Sequence, residues 1–150
     1  MKIYVASSWH NKALVQSTMA ALRAAEHTIT CDWTTFSDEP PNGETFDDYL
    51  QRMGSLDIAG VVDADVLVVL PHRNQRNTFF EMGLAHGMLK PIVTVGSRAG
   101  IESPFWHTAI DCPDTDTLIE ALKQPARALS MYPRDRPLEL RRLSVIARMW

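Results

Sequence analysis

The stretch DVLVVLPHRNQRNTFFEMGLAHGMLKPIVTVG, residues 65–96, decides how the chain is read. Val66–Leu70 is continuously apolar and does not alternate, which suits a parallel strand covered by helices on both faces. Residues 91–96 (PIVTVG) form a second strand candidate, and the segment between them, 78–89, reads as a helix rich in Phe, Met, Leu and Ala. One residue interrupts that apolar character. Glu81 stands where Thr78-x-x-Glu81 fits a capping box, which places it in the helix's first turn. A carboxylate there is favoured in its ionised form by the positive end of the helix dipole.

Outward from this unit the alternation continues. Strand candidates are KIYVA (2–6), HTITC (27–31) and HTAID (107–111). Helical spacing appears over 11–25, with Val15, Met19, Leu22 and Ala25, and again over 46–62. A further helix is expected over 114–123, with Asp114 as its N-cap. The β-α-β alternation implies an α/β fold, a doubly wound five-stranded parallel sheet of flavodoxin or Rossmann type with order 2-1-3-4-5. Residues 34–46 (TTFSDEPPNGETF) have the Pro, Gly, Asn and Asp of a long loop, either a functional lid or a plain surface excursion.

The chain of 150 residues is expected to be one domain, with a C-terminal helical extension over 134–150. Five arginines (134, 136, 141, 142, 148) face only Asp135 and Glu139 there, while Leu143, Ile146 and Trp150 share one helical face. That face either packs on the domain or meets another subunit. A net charge of -3 gives no reason to expect a nucleic acid polymer or a membrane as partner. Cys31 and Cys112 lack a C-x-x-C spacing and the five histidines lack H-x-x-x-H, so neither a disulfide framework nor a metal site is expected. With no signal-like start and no apolar run near ~20 residues, the reading is a cytoplasmic protein without cofactor or metal.

In such a sheet, ligands bind outside the carboxyl ends of the strands, where the strand order reverses. The loops ASSWHN (6–11) and PHRNQRNT (71–78) meet there, and Glu81 follows the second closely enough to face the crevice. Asp57 shares a helical face with Leu50, Met53 and Val61, where a carboxylate is costly to bury unless it is hydrogen-bonded or used.

These residues carry a resemblance. KIYVASSW (2–9), DIAGVVDADVLVVLP (57–71) and TFFEMGLAHGMLKP (78–91) resemble the nucleoside 2-deoxyribosyltransferase family, whose superfamily includes N-glycosidases of nucleoside 5′-monophosphates. The resemblance spans roughly residues 2–96, and E-x-G-x-A-x-x-x-x-K-P is its most specific part. It implies that Glu81 is the nucleophile at the sugar C1′, that Tyr4 positions it, and that Asp57 contacts the base or assists proton transfer. Ser7, Ser8 and Trp9 then line the substrate pocket. Singly, Tyr4 and Trp9 read as core packing and the serines as caps; together and in this order they match the family.

Two departures bear on the substrate. Gln75 stands where deoxyribosyltransferases usually have an Asp that holds the 5′-hydroxyl, and Asn77 replaces a usual Gly. Arg73 and Arg76 flank them. A hydroxyl wants an acceptor such as Asp, whereas a phosphate wants donors, which arginine offers as a fork. The loop therefore leans toward a nucleotide, the plain alternative being two solvated arginines. The resemblance implies a small nucleoside or nucleotide as partner, a homo-oligomer, and cleavage of an N-glycosidic bond by hydrolysis or base exchange. A non-catalytic nucleotide-binding or sensor module of the same fold is the rival. A phospho-acceptor regulator is excluded, because the ends of the first and third strands read Ala6-Ser7 and Pro71-His72 in place of acidic residues.

Overall fold

The structure, a computed structural model, describes residues 1–98, 100–103, 106 and 109–123. Among the described residues the strands and α-helices follow in the order β1 (Lys2–Ala6), α1 (Lys12–Ala24), β2 (Thr28–Ile29), α2 (Phe46–Asp63), β3 (Val66–Val69), α3 (Arg76–Gly87), β4 (Ile92–Val95), β5 (Ile110–Cys112) and α4 (Thr115–Leu122). All pairings are parallel, and the sheet runs β2-β1-β3-β4-β5. This is the expected order. The reversal between β1 and β3 puts the loops after them side by side, with Ala6 opposite Val69 at the strand ends.

Packing explains why the apolar runs do not alternate. α1 packs beside α4, and α2 beside α3, while β3 and β4 are buried at every position. α1 supplies Val15, Thr18, Met19 and Leu22, one buried stripe at helical spacing. Each large apolar side chain so buried contributes about 1.5–3 kcal/mol. β2, at the sheet's edge, is shorter than the 27–31 expected, although Thr30 N still donates to Ile3 O at 3.0 Å.

Helix starts correct the sequence reading. Capping by side chains occurs at Thr45, which accepts from Asp48 N, and at the expected Asp114, which accepts from Thr117 N at 2.7 Å. It does not occur at Thr78. α3 begins at Arg76 with Gln75 as N-cap, so Thr78 lies inside the helix, fully buried, and Glu81 falls in the second turn. The capping-box pattern is local, and the preceding loop overrides it: Gln75 Oε1 accepts from His72 N at 2.8 Å, folding 72–75 into a turn that starts the helix early.

Two more expectations change. The last strand is Ile110–Cys112, paired with β4 so that Val93 lies opposite Ile110; of the expected 107–111, residues 107 and 108 lie outside the described residues and Ala109 precedes the strand. Residues 34–46 are tied to the body: Trp33–Thr35 form a 3-10 turn, Tyr49 Oη donates to Ser37 O at 2.7 Å, and Lys12 Nζ to Phe36 O at 3.3 Å. The helical extension 134–150 and its apolar face lie outside the described residues. No described helix is long and apolar enough to cross a membrane.

Candidate active site

The internal strand β1 carries Tyr4, wholly buried, into the space between α2 and α3. Its hydroxyl donates to Glu81 Oε1 at 2.7 Å, joining positions 77 residues apart. Tyr4 fits there because Gly60 of α2 has no side chain. A Cβ at Gly60 would lie 2.8 Å from Tyr4 Cδ2 and 2.6 Å from Cys31 Cβ. Glu81 is 7% exposed, and its second oxygen, Oε2, is buried without a hydrogen-bond partner. Burial, reinforced by the negative charge of Asp57, pushes its carboxyl up to about 7, against the Tyr4 hydrogen bond. Desolvation therefore outweighs the helix dipole, which acts mainly in the first turn. Burial and Glu81 together hold the Tyr4 phenol far above its ordinary range, so it remains a proton donor.

Asp57 completes the cluster. Its helical face runs from exposed Leu50 through half-buried Met53 and Asp57 to buried Val61, so the carboxylate sits where solvent gives way to core. Burial raises its pKa, while the Tyr4 hydroxyl and the Cys31 thiol oppose the rise. Cys31 was invisible to sequence reasoning. It lies 26 residues from Asp57, yet its Sγ donates to Asp57 Oδ1 at 3.8 Å.

Two hollows adjoin at the carboxyl ends of β1 and β3. A small groove of about 140 Å³ has Gly54, Asp57, Ile58 and Val61 on one wall and Asn77, Phe80, Glu81 and Leu84 on the other. A larger cavity of about 500 Å³ is walled by Ser7–His10 and Arg73–Asn77. Asn77 borders both. The sequence-derived candidates thus divide between them, the carboxylates Asp57 and Glu81 in the groove and the candidate binding residues in the cavity.

Within the cavity the candidates differ in what they do. Ser7 Oγ donates to Leu70 O at 2.7 Å and accepts from Asn11 Nδ2 at 3.0 Å, tying the two loops together. Ser8 is buried and accepts from His10 N at the start of a 3-10 turn. Trp9 is not core: it is 38% exposed, 5.9 Å from the Trp33 ring, with Lys12 Nζ 4.3 Å from its own ring centroid. Arg73 and Arg76 are exposed and form no ion pair with a carboxylate among the described residues. Gln75 is only 2% exposed; its Nε2 is a buried donor with no partner. His10 and His72 also went unread in the sequence, and only folding stacks their rings, 6.0 Å apart, at the cavity's rim. No group of three or more metal-ligating side chains forms among the described residues.

Comparison with known proteins places the fold. No protein-family model and no curated sequence matches the chain. Solved structures do. A 2-deoxyribosyltransferase from Bacillus psychrosaccharolyticus aligns at 20% identity and a TM-score of 0.61, covering 79% of this chain and 90% of that one. A conserved protein from Enterococcus faecalis V583 aligns at 13% identity and a TM-score of 0.61, covering 83% and 98%. A CMP N-glycosidase, BcmB, from Clostridium botulinum aligns at 12% identity and a TM-score of 0.56, covering 82% and 99%. The chain has the fold of these proteins.

Burial of Glu81 has a consequence for stability. Its pKa rises from 4.5 to about 7 on folding, so the folded state holds the proton more tightly than the unfolded chain. The associated stability is complete below about pH 4.5 and lost as pH rises through about 7, a swing of about 3 kcal/mol. Glu81→Gln removes this dependence. Urea midpoints at pH 5 and pH 8 should show the variant gaining on wild type at the higher pH. An equal gap at both would count against a buried, raised carboxyl.

Proposed function

We propose that the chain cleaves the N-glycosidic bond of a nucleoside or nucleoside 5′-monophosphate, with Glu81 as nucleophile. The observation that carries this reading is the asymmetric carboxylate, with Oε1 held by Tyr4 and Oε2 buried and unpartnered beside Asp57. Oε2 attacks C1′ as the bond to the base breaks, through a transition state with oxocarbenium character. Asp57, which borders the same groove, or a group it orients, helps the departing base take up a proton. Water then opens the glycosyl ester in a hydrolase, or a second base does so in a transferase. The shared fold with a 2-deoxyribosyltransferase and a CMP N-glycosidase supports this chemistry.

The cavity supports a phosphorylated substrate. Arg73, Arg76 and the unpartnered Gln75 Nε2 offer donors at the N-terminal end of α3, which itself favours an anion. From Gln75 to Glu81 the helix rises about 9 Å, room for a pentose between an anion at its start and the nucleophile. Assembly as a homo-oligomer belongs to the same proposal. Exposed Ile58 and Phe80 line the groove, and Val62, Met88 and Leu89 add exposed apolar surface on or next to α2 and α3 for a second copy to cover.

Glu81→Gln should abolish base release from a panel of nucleosides and 5′-monophosphates while the circular dichroism spectrum stays native. In wild type, kcat/KM should climb as pH rises through about 7, because the nucleophile must be ionised. Near-normal turnover in the variant would refute the assignment. Nucleotide binding with no base released, with or without acceptor base, would indicate the sensor reading.

Each arginine contact to a phosphate should be worth roughly 1.5–3 kcal/mol. Arg73→Ala or Arg76→Ala should therefore raise KM for a 5′-monophosphate about tenfold or more, with little change for the matching nucleoside. Equal losses on both substrates would mean that the arginines only shape the loop. Sedimentation velocity at working concentration checks assembly: a species larger than the monomer is expected, and a monomer with full activity would sink that part.

A further inference from the structure

Cys31 lies just past β2, where Thr30 N still bonds β1, and this keeps residue 31 beside Tyr4 and α2. It enters the notch left by Gly60, against which its Cβ packs. Burial first, then the charge of Asp57, pushes its thiol up to about 12. A thiol so held is a donor, not a nucleophile or an oxidation-prone thiolate. The groups around it are few. Tyr4 approaches Asp57 from β1, Cys31 from the segment after β2, and Glu81 from α3, while the neighbouring Asp32 is engaged by Arg23 at 2.6 Å.

The cluster therefore holds two carboxylates and two hydrogen-bond donors. Tyr4 has one hydroxyl proton, which at 2.7 Å lies on Glu81 Oε1 while the hydroxyl also lowers the Asp57 pKa. The donor at hydrogen-bond distance from Asp57 Oδ1 is the Cys31 thiol, at 3.8 Å. An S–H donor is weak, but in a buried site a carboxylate without any donor would be costlier still.

We propose that Cys31 is a positioning residue for Asp57: its thiol engages Oδ1, fixes the plane of the carboxylate, and leaves Oδ2 to face the departing base. Resting on the glycosidic cleavage proposed above, the step balances simply. The base nitrogen takes the electron pair of the C1′–N bond and a proton from solvent, and Glu81 Oε2 bonds C1′. Asp57 stays ionised throughout, with the thiol donating to Oδ1. Cys31 exchanges no proton and forms no bond with substrate.

Three variants separate this role from plain packing. Cys31→Ser keeps a donor, Cys31→Val keeps an apolar filling without one, and Cys31→Ala guards against valine overpacking the notch. The first readout needs no substrate: titration of the Asp57 carboxyl carbon by NMR in each protein. Loss of the donor should move the Asp57 pKa upward in the Val and Ala variants, with Ser near wild type. The second readout is the pH profile of base release. Val and Ala should lower kcat about three- to tenfold with KM within about twofold, and shift the limb that follows Asp57; Ser should restore both. An Asp57 titration unmoved in Val and Ala, or a Ser variant behaving like Val, would overturn the proposal. If Asp57 shifts as expected but wild type releases no base from any substrate, positioning stands and the cleavage reading fails.

Discussion

The hydrogen bond from Tyr4 to Glu81 ties the middle of the sheet to the helix that follows β3, and the surrounding structure accommodates it. A carboxylate this buried is expensive to ionise, which its raised pKa of about 7 expresses. Tyr4 offsets part of that expense and can reach Glu81 only because β1 lies between β2 and β3. Gly60 supplies the clearance. Any side chain there would meet Tyr4 and Cys31 at distances below contact. Strand order, a glycine and one phenol thus hold a strained electrostatic arrangement that local sequence would not favour.

Around this bond, charge is partitioned. The groove holds buried Glu81 and half-buried Asp57 among apolar walls of Ile58, Val61, Phe80 and Leu84, which lower the dielectric around them. The cavity holds Arg73, Arg76 and a buried amide donor. Acceptors and donors are therefore separated along the first turns of α3, with Asn77 at the border. A ligand anionic at one end and electron-poor at the other would lie along this axis in a single orientation. In the proposed reaction that orientation brings C1′ to Oε2, and positioning of this kind supplies much of the rate in bond-breaking enzymes.

The small residues and short bonds of the loops serve the same end. Ser7 clamps the loop after β1 to Leu70 at the end of β3, so both walls of the cavity move as one. Gln75 spends its carbonyl on the turn and keeps its amide free, so a single side chain both starts α3 and furnishes a donor. Trp9 stays partly exposed at the rim beside Trp33, whose own Nε1 is fixed by Val5 O at 2.8 Å.

The amino-acid sequence by itself determined the architecture. Continuous apolar runs such as Val66–Val69 bury two faces, and alternation with helices of 3.6 periodicity leaves a doubly wound parallel sheet as the fold. It also singled out Glu81 and Asp57 as carboxylates on apolar helical faces, and the family resemblance added Tyr4 as a candidate. Only the tertiary structure decided what Glu81 does locally. The capping box at Thr78 failed because a turn built by Gln75 and His72 moved the helix start, and burial by distant elements then overrode the dipole. Cys31 beside Asp57, and His10 against His72, had no signal in sequence, since each pair is assembled by strand order and not by spacing. Periodicity encodes which face of an element is buried; it does not encode which residue of another element will meet that face, and the hydrogen-bonding and pKa of a site depend on that meeting.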